Sequence, residues 1–305
     1  MGMTIQERFS GCILVGATGD AYGSAFENQA AAASSGTYYP FGKPRPKQHW
    51  GLTDDTQLTL ATCEAILERG GVSAESIAGH FRSYHQAKKL TGLGGSTLKA
   101  LNDLAAGAHW SQAGRRGEYA AGNGAAMRIA PLAFIGPGLN RLQIEEVSRI
   151  THYNDEAYAG ALAVVLSLRA ILSGTSNEME QLLHLVAEQL PDTRVRDRLL
   201  ELQALPPTIS LAEVAARFGA GGYVVESVPL ALLAASRVQQ LGIERMFVEL
   251  AAAGGDTDTN CSIAGQLAGA LLGPAALPDS LSQQLRQLPE YPWILEVTRR
   301  FQQLL

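Results

Sequence analysis

The residues best suited to chemistry lie in two short acidic segments. The first is Gly254-Gly255-Asp256-Thr257-Asp258-Thr259-Asn260, which lies between two apolar runs that contain no lysine or arginine. Burying two unpaired carboxylates is very costly, so a bound cation is the natural partner. One Asp could instead cap a helix that starts near Asn260, but a cap accounts for only one of the two acids.

The second acidic segment, Thr53-Asp54-Asp55-Thr56, has the same design, with hydroxyls flanking adjacent carboxylates at the start of a helix. Alone it fits an ordinary N-cap, because Thr and Asp are favoured there. Its recurrence favours a metal site. Carboxylate and hydroxyl oxygens are hard ligands, and without an interleaved His or Cys they suit Mg²⁺ or Mn²⁺ rather than Zn²⁺. The adjacent acids could serve two ions.

Two further acids and one glycine-rich segment extend this set of candidate site residues. Glu27 follows a glycine-striped helical run and could be a metal ligand or a proton carrier. Asp20, inside that run, is expected to make structural hydrogen bonds at a helix end, and a surface role for either acid stays open. The segment Gly122-Asn123-Gly124-Ala125-Ala126-Met127-Arg128 is either an ordinary Asn-Gly turn or a helix start whose backbone N–H groups reach a phosphate.

Helical periodicity dominates the elements that must position these residues. Capping boxes or close relatives begin at Thr4, Asn177 and Ser210, and no alternating run qualifies as a strand, Tyr223-Val224-Val225 being the nearest approach. We predict an all-α fold in one domain over residues 1–305. The predicted helices lie near residues 4–23, 56–69, 74–89, 96–106, 141–151, 156–172, 178–190, 193–203, 226–240, 243–252, 260–272 and 280–288.

Two of these helices carry glycine stripes, although glycine costs about 1 kcal/mol at a helix-interior site. The stripes indicate either tight helix packing alone or packing that also flanks a site. They are Gly16, Gly19 and Gly23 in the first helix, and Gly265, Gly269 and Gly273 near the end. Two long irregular segments, 28–50 and 106–124, are of a length usual for functional or mobile loops, and we predict that the first is a mobile flap over the metal site.

Composition restricts the class of protein. The 305 residues are 46% hydrophobic and 17% charged, which excludes a disordered chain. A net charge of -5, with one short basic cluster over 43–47, argues against a nucleic-acid partner. Cys12, Cys63 and Cys261 form no CxxC pair and fit small apolar positions, as in a reduced, cytoplasmic protein. The apolar stretch 259–278 contains polar residues and glycines, so no membrane span is predicted.

In this order the motifs resemble those of the ADP-ribosylglycohydrolase family, which includes dinitrogenase reductase-activating glycohydrolase and the ADP-ribosyl-arginine and ADP-ribosyl-serine hydrolases. The segments that carry the resemblance span nearly the whole chain: 16–23 with Glu27, 53–56, 122–128, Thr151-His152 and 255–260. The resemblance implies a compact orthogonal helical bundle. It also implies a hydrolase acting on ADP-ribosylated protein, or on a small molecule that contains ADP-ribose.

The resemblance further implies a binuclear Mg²⁺ or Mn²⁺ centre in which Glu27 and Asp258 are the catalytic residues. One ion would be held by Thr53, Asp54, Asp55 and Asp258, and the other by Asp256, Asp258, Thr259 and Glu27. Substrate would be bound by Gly122, Asn123, Gly124, Ala125 and Met127 at the diphosphate, by His152 beside the ribose or phosphates, and by Gly222 and Tyr223 at the pocket border. A structural His152 at a helix end and an ordinary core Tyr223 stay open.

One departure concerns the modified side chain. Relatives that act on ADP-ribosyl-arginine often carry an acid in the loop that corresponds roughly to residues 91–97, and this sequence has none there. Arginine is therefore in doubt, although Glu27 or Asp103 could substitute for the missing acid.

Rival classes of protein fit the motifs less well. Isoprenoid synthases use DDxxD, but Leu58 stands four residues after Asp54, and none of the six histidines is followed by the Asp of an HD phosphohydrolase. A catalytically silent ADP-ribose-binding or structural homologue remains the alternative, and the intact set of acids favours the enzyme.

Overall fold

The computed structural model of the chain describes residues 2–27, 50–136, 138–174, 179 and 181–305. The predicted flap lies almost wholly in 28–49, and the predicted cap at Asn177 in 175–178, so both fall outside the described residues. Within the described ranges the only strands are β1 (Arg115–Arg116) and β2 (His152–Tyr153), which pair in parallel. The prediction of an all-α fold is confirmed.

The α-helices of the described residues are, in chain order, α1 Ile5–Ser24, α2 Asp54–Arg69, α3 Ala74–Gln86, α4 Gly95–Ala105, α5 Trp110–Ala113, α6 Ala130–Ala133, α7 Arg141–Arg149, α8 Asp155–Leu172, α9 Leu182–Ala187, α10 Arg194–Gln203, α11 Leu211–Phe218, α12 Val224–Ser236, α13 Val238–Leu241, α14 Ile243–Ala253, α15 Thr257–Leu272, α16 Asp279–Arg286 and α17 Tyr291–Gln302. Short 3₁₀ helices cover Glu118–Ala120, Asn123–Arg128 and Pro274–Ala276.

The structure differs from the sequence prediction in one helix start, one helix break and one additional helix. Helix α15 starts at Thr257 rather than near Asn260, so Asp258 lies in its first turn. The predicted helix over 226–240 is broken at Arg237 into α12 and α13. Helix α17 was not predicted, although its buried residues are spaced as on one helix face and Pro292 is compatible with a helix start.

The centre of the fold is the antiparallel contact between α1 and α15. A Cβ atom added at Gly269 would overlap the carbonyl oxygen of Gly11, and one added at Gly23 would overlap that of Thr257. The glycine stripes therefore face each other and allow the two backbones to touch, as predicted for tight packing. The same contact places the end of α1 directly beside the first turn of α15, so the stripes also position the acidic residues there.

A single hydrophobic cluster extends from this contact to the outer helices. Phe9 of α1 stacks on Phe301 of α17 with ring centroids 4.4 Å apart, which attaches the last helix to the centre. Cys12, Cys63 and Cys261 are buried and unpaired, in agreement with their prediction as small apolar residues. No helix in the described ranges has both the length and the apolar character needed to cross a membrane.

The backbone contact predicts a large cost for a single methyl group. Gly269→Ala should lower the free energy of unfolding by at least about 1–3 kcal/mol, because α1 and α15 must separate to admit the Cβ atom. A matched control is Gly79→Ala in α3, where an added Cβ meets nothing within 4 Å. This control should raise stability by about 0.5–1 kcal/mol. Urea unfolding of both variants measures the difference, and equal effects would refute the proposed contact.

Candidate functional site

A cavity of about 430 Å³ brings the predicted segments together. Its acidic side is formed by Glu27, Asp54, Asp55, Asp256, Asp258 and Thr259. Its other walls are Gly122, Asn123, Gly124, Met127, His152, Gly221, Gly222 and Gly255, with Gly92, Gly94, Gly95, Ser96 and Thr97. Thr53, Ala125 and Tyr223 belong to the same segments but are not among the residues that line the cavity.

Two helix N-termini converge on the acidic side. Asp54 and Asp55 occupy the first turn of α2, and Asp258 the first turn of α15, where the helix dipoles favour negative charge. Asp256 occupies the N-cap position of α15 without capping it. Its carboxylate instead accepts a hydrogen bond of 2.7 Å from Asn123 Nδ2, so it belongs to the cavity.

Asp20 supports this arrangement from behind. Its carboxylate accepts hydrogen bonds from the backbone N–H groups of Thr53 and Thr56, each at 3.1 Å, and from Thr53 Oγ1 at 2.7 Å. The structural hydrogen bonds expected of Asp20 are present, but they cap the start of α2 rather than the end of α1. Asp20 therefore fixes the orientation of the helix that carries Asp54 and Asp55.

The buried acids repel one another. Burial raises the pKa of Asp54 and Asp55 well above the usual range, and neighbouring carboxylates raise it further. Burial, with a hydrogen bond to Asp256, raises the pKa of Asp258 to about 10. Without a cation these groups cannot all be ionised at neutral pH, because the charges close to each carboxylate are mainly those of other carboxylates.

The donor set fits a divalent cation. Asp55 Oδ1 is buried and has no hydrogen-bond partner among the described residues, while Oδ2 accepts from Thr259 Oγ1 at 3.2 Å. Carboxylate oxygens of Glu27, Asp256 and Asp258 all lie within 4.8 Å of one another. Every candidate ligand is a hard oxygen atom, which is the chemistry that Mg²⁺ or Mn²⁺ prefers.

The glycine-rich turn forms the cavity wall that adjoins the acids at Asp256. The backbone N–H of Asn123 donates to Gly222 O at 3.1 Å, and Gly122 and Tyr223 form an isolated antiparallel bridge. These contacts join the two segments predicted to bind substrate. Ala125 is completely buried and does not line the cavity, and the Tyr223 hydroxyl lies 3.4 Å from Arg194 Nη1.

His152 reaches the cavity from β2, beside the same turn. A Cβ atom added at Gly124 would lie 2.7 Å from His152 Cε1, so the ring packs directly on the backbone of the turn. Burial, with the nearby Arg128 and Arg115 cations, lowers the pKa of His152 to about 3. The imidazole is therefore neutral at physiological pH.

Sequence reasoning missed the residues that hold the loop over 91–97. Gln57 donates from Nε2 to Thr91 Oγ1 at 3.0 Å and accepts from the Thr91 backbone N–H at 2.8 Å. A glutamine one turn into an acidic helix gives little signal in sequence, because its partner is 34 residues away. Asp103 pairs with Lys99 and does not line the cavity, so it does not replace the missing acid of this loop.

Comparisons with known proteins show which family and which structures the chain resembles. The sequence model of the family described as ADP-ribosylglycohydrolase matches residues 1–305. An "Uncharacterized protein" of Archaeoglobus fulgidus is 28% identical over 286 residues, covering 87% of this chain and 88% of its own. "ADP-ribosylhydrolase ARH3" of Mus musculus is 25% identical over 329 residues, covering 93% of this chain and 88% of its own. A solved structure titled "ADP-ribosylglycohydrolase-related protein complex" superposes with a TM-score of 0.73 at 26% identity, covering 98% of both chains.

Removing the Asp20 carboxylate should destabilise the metal-free protein. Asp20→Ala leaves the backbone N–H groups of Thr53 and Thr56 without an acceptor, which we expect to cost about 2 kcal/mol or more of unfolding free energy. The control is Asp155→Ala in the first turn of α8, where the side chain is 86% exposed and the expected loss is below about 0.5 kcal/mol. Chemical denaturation in EDTA measures both, and equal losses would show that Asp20 is not a cap.

Neutralising Asp256 should act in the opposite direction. Metal-free Asp256→Asn should be as stable as wild type or more so, because one of the repelling charges is removed. Mg²⁺ or Mn²⁺ at a hundredfold excess over the dissociation constant should stabilise wild type by about 2.7 kcal/mol, and the variant by less. Thermal unfolding with metal and with EDTA tests this, Asp155→Asn being the control. If metal-free Asp256→Asn melts well below wild type, Asp256 is chiefly structural.

Proposed function

The chain belongs to the ADP-ribosylglycohydrolase family, and we propose that it is a hydrolase that releases ADP-ribose from modified protein side chains or cleaves a related ADP-ribosyl bond. The observation that carries the proposal is that the acidic residues and the glycine-rich turn line one cavity. This cavity has a place for cations on one side and for a diphosphate on the other. In this proposal residues 1–305 act as one domain.

We assign the acidic side to two Mg²⁺ or Mn²⁺ ions. When bound, the ions would hold the ribose hydroxyls and activate a water molecule at the anomeric carbon. The Thr53 hydroxyl gives its proton to Asp20 and accepts the Asp55 backbone N–H at 3.4 Å, which leaves one lone pair for a cation. The first ion would be held by Thr53, Asp54, Asp55 and Asp258, and the second by Asp256, Asp258, Thr259 and Glu27.

Glu27 and Asp258 are the proposed catalytic residues. Glu27 is exposed at the cavity edge, in the turn that follows α1, and its carboxylate is close to those of Asp256 and Asp258. A carboxylate at this position can take a proton from the attacking water or give one to the leaving group. Asp258 is buried between the two groups of acids, and its raised pKa keeps it protonated until a cation is bound.

The cavity wall formed by the glycine-rich turn is the proposed ADP-ribose subsite. The turn over Gly122–Met127 presents backbone N–H groups where side chains are absent or small, which suits the close approach of a diphosphate. Because His152 is neutral, it can offer a single N–H to a phosphate or ribose oxygen without a charge. Gly222 and Tyr223 border this wall through their hydrogen bonds to the turn.

The loop over 91–97 bears on the modified side chain. The residues by which it lines the cavity are glycines, Ser96 and Thr97, and none of them is acidic. A guanidinium group would therefore find no counter-charge on this wall. We propose that an attachment through an uncharged oxygen, such as serine, is preferred to arginine.

A substrate panel tests this function. With Mn²⁺ or Mg²⁺ present, we expect ADP-ribose release from an ADP-ribosyl-serine peptide at a rate at least about tenfold above that from an ADP-ribosyl-arginine peptide, since the missing ion pair costs the arginine substrate about 1.4 kcal/mol or more. Mass spectrometry of the released ADP-ribose measures both rates. EDTA and Asp256→Asn should abolish release.

Three outcomes would contradict the proposal in different parts. Release in excess EDTA would exclude the metal centre, and faster release from the arginine peptide would exclude the assigned specificity. Binding of ADP-ribose without release from any peptide would favour the alternative, a catalytically silent ADP-ribose-binding homologue.

A further inference from the structure

Arg128 is a fully buried cation with few partners. Its guanidinium lies over the Phe81 ring, 4.7 Å from the centroid, and Nη2 donates to Thr151 Oγ1 at 2.8 Å and to Val147 O at 3.3 Å. Nε and Nη1 have no hydrogen-bond partner, and no carboxylate lies within ion-pair distance, among the described residues. Burying a cation without an ion pair costs free energy, and the two hydrogen bonds from Nη2 offset part of that cost.

The contact with Thr151 determines where the threonine hydroxyl points. Thr151 is completely buried, and its Oγ1 lies 2.8 Å from His152 Nδ1 as well as 2.8 Å from Arg128 Nη2. Guanidinium only donates, so Oγ1 accepts from Arg128. If His152 Nδ1 also donated to Oγ1, the hydroxyl proton would have no acceptor among the described residues. The hydroxyl therefore donates to Nδ1.

A hydrogen bond accepted at Nδ1 decides the tautomer of the ring. A neutral imidazole that accepts at Nδ1 carries its proton on Nε2. Nε2 lies on the cavity side, where a Cβ atom added at Gly122 would be 3.0 Å away. It has no hydrogen-bond partner among the described residues, so the N–H is available to a ligand.

We propose that Arg128, acting through Thr151, holds His152 in the Nε2–H tautomer, so that the ring presents only a donor to the cavity and selects an acceptor oxygen of the ligand. This inference rests on the proposed function for the identity of the ligand, which would be a phosphate or ribose oxygen of ADP-ribose. Arg128 and Thr151 are positioning residues. A ligand atom that itself donates is rejected, because it would meet N–H against N–H.

The arrangement of the contacts explains why a relay is needed. The two nitrogen atoms of a free imidazole exchange roles readily, and a ring against bare glycine backbone is not otherwise held to one tautomer. Arg128 cannot become an acceptor, so the direction of both hydrogen bonds in the chain is fixed by its chemistry. Groups that orient a ligand-binding histidine in this way reduce the cost of binding, because the donor is already in place.

The first test is spectroscopic and uses the ligand-free wild-type protein. Long-range ¹H–¹⁵N correlation spectra at pH 7 should show His152 with Nε2 protonated and Nδ1 unprotonated. His152→Gln identifies the resonances, because they disappear from its spectrum. A proton on Nδ1, or on both nitrogens, overturns the proposal whether or not the protein binds ADP-ribose, so this result is independent of the proposed function.

The second test compares Thr151→Val with Thr151→Ser. The valine variant removes the donor to Nδ1, and we expect mixed tautomers and about threefold to tenfold weaker ADP-ribose binding by calorimetry, the value of one net hydrogen bond. The serine variant keeps the hydroxyl and should restore both the tautomer and the affinity to within about twofold. A single Nε2–H tautomer in Thr151→Val, or equal affinities for the two variants, overturns the relay. Failure of wild type to bind ADP-ribose would instead reject the proposed function, with the tautomer measurement unaffected.

Discussion

The backbone contact between α1 and α15 is the constraint on which the rest of the structure depends. Glycines on both helices allow the contact, and its register sets Gly23 against Thr257. Because Glu27 follows α1 and Asp258 begins α15, this register also determines that carboxylates from opposite ends of the sequence share one cavity. The contact that packs the core therefore also assembles the site, and the helices outside this pair complete the cavity walls.

Buried charges of opposite sign shape the site: a group of carboxylates and the Arg128 guanidinium. On the acidic side, carboxylates crowd together with no ion pair among the described side chains, and a bound cation would relieve their repulsion. On the other side, Arg128 is buried without an ion pair, and its charge lowers the pKa of His152. The negative charge of Asp54 acts in the other direction on Arg128, because it raises the pKa of the guanidinium. The cavity is therefore acidic on one side and has a neutral imidazole on the other, and Arg128 acts on that imidazole through buried contacts without lining the cavity.

Much of this could be predicted from sequence, because the informative signals were local. Hydroxyls beside adjacent acids, capping boxes and glycine stripes each depend on residues within a few positions, and they indicated most of the longer helices and the segments that line the cavity. What sequence did not give depends on distant partners. Nothing near Asp20 shows that it caps a helix 33 residues away, and nothing near Gln57 shows that it holds Thr91. Helix α17 was missed for a different reason, since its start is marked by Pro292 rather than by a side-chain cap. The roles of Arg128 and Thr151 needed the direction of each hydrogen bond, which only the structure supplies.

The cap that Asp20 provides has a consequence for how the proposed ions would bind. The start of α2 is held by three hydrogen bonds to Asp20 of another helix, and none of them uses a carboxylate oxygen that lines the cavity. These hydrogen bonds orient Asp54 and Asp55 without a metal ion, so the start of α2 can fold before any metal binds. If Mg²⁺ or Mn²⁺ binds there as proposed, ion loading would be a ligand-exchange step at a preformed site and would not require refolding of the chain.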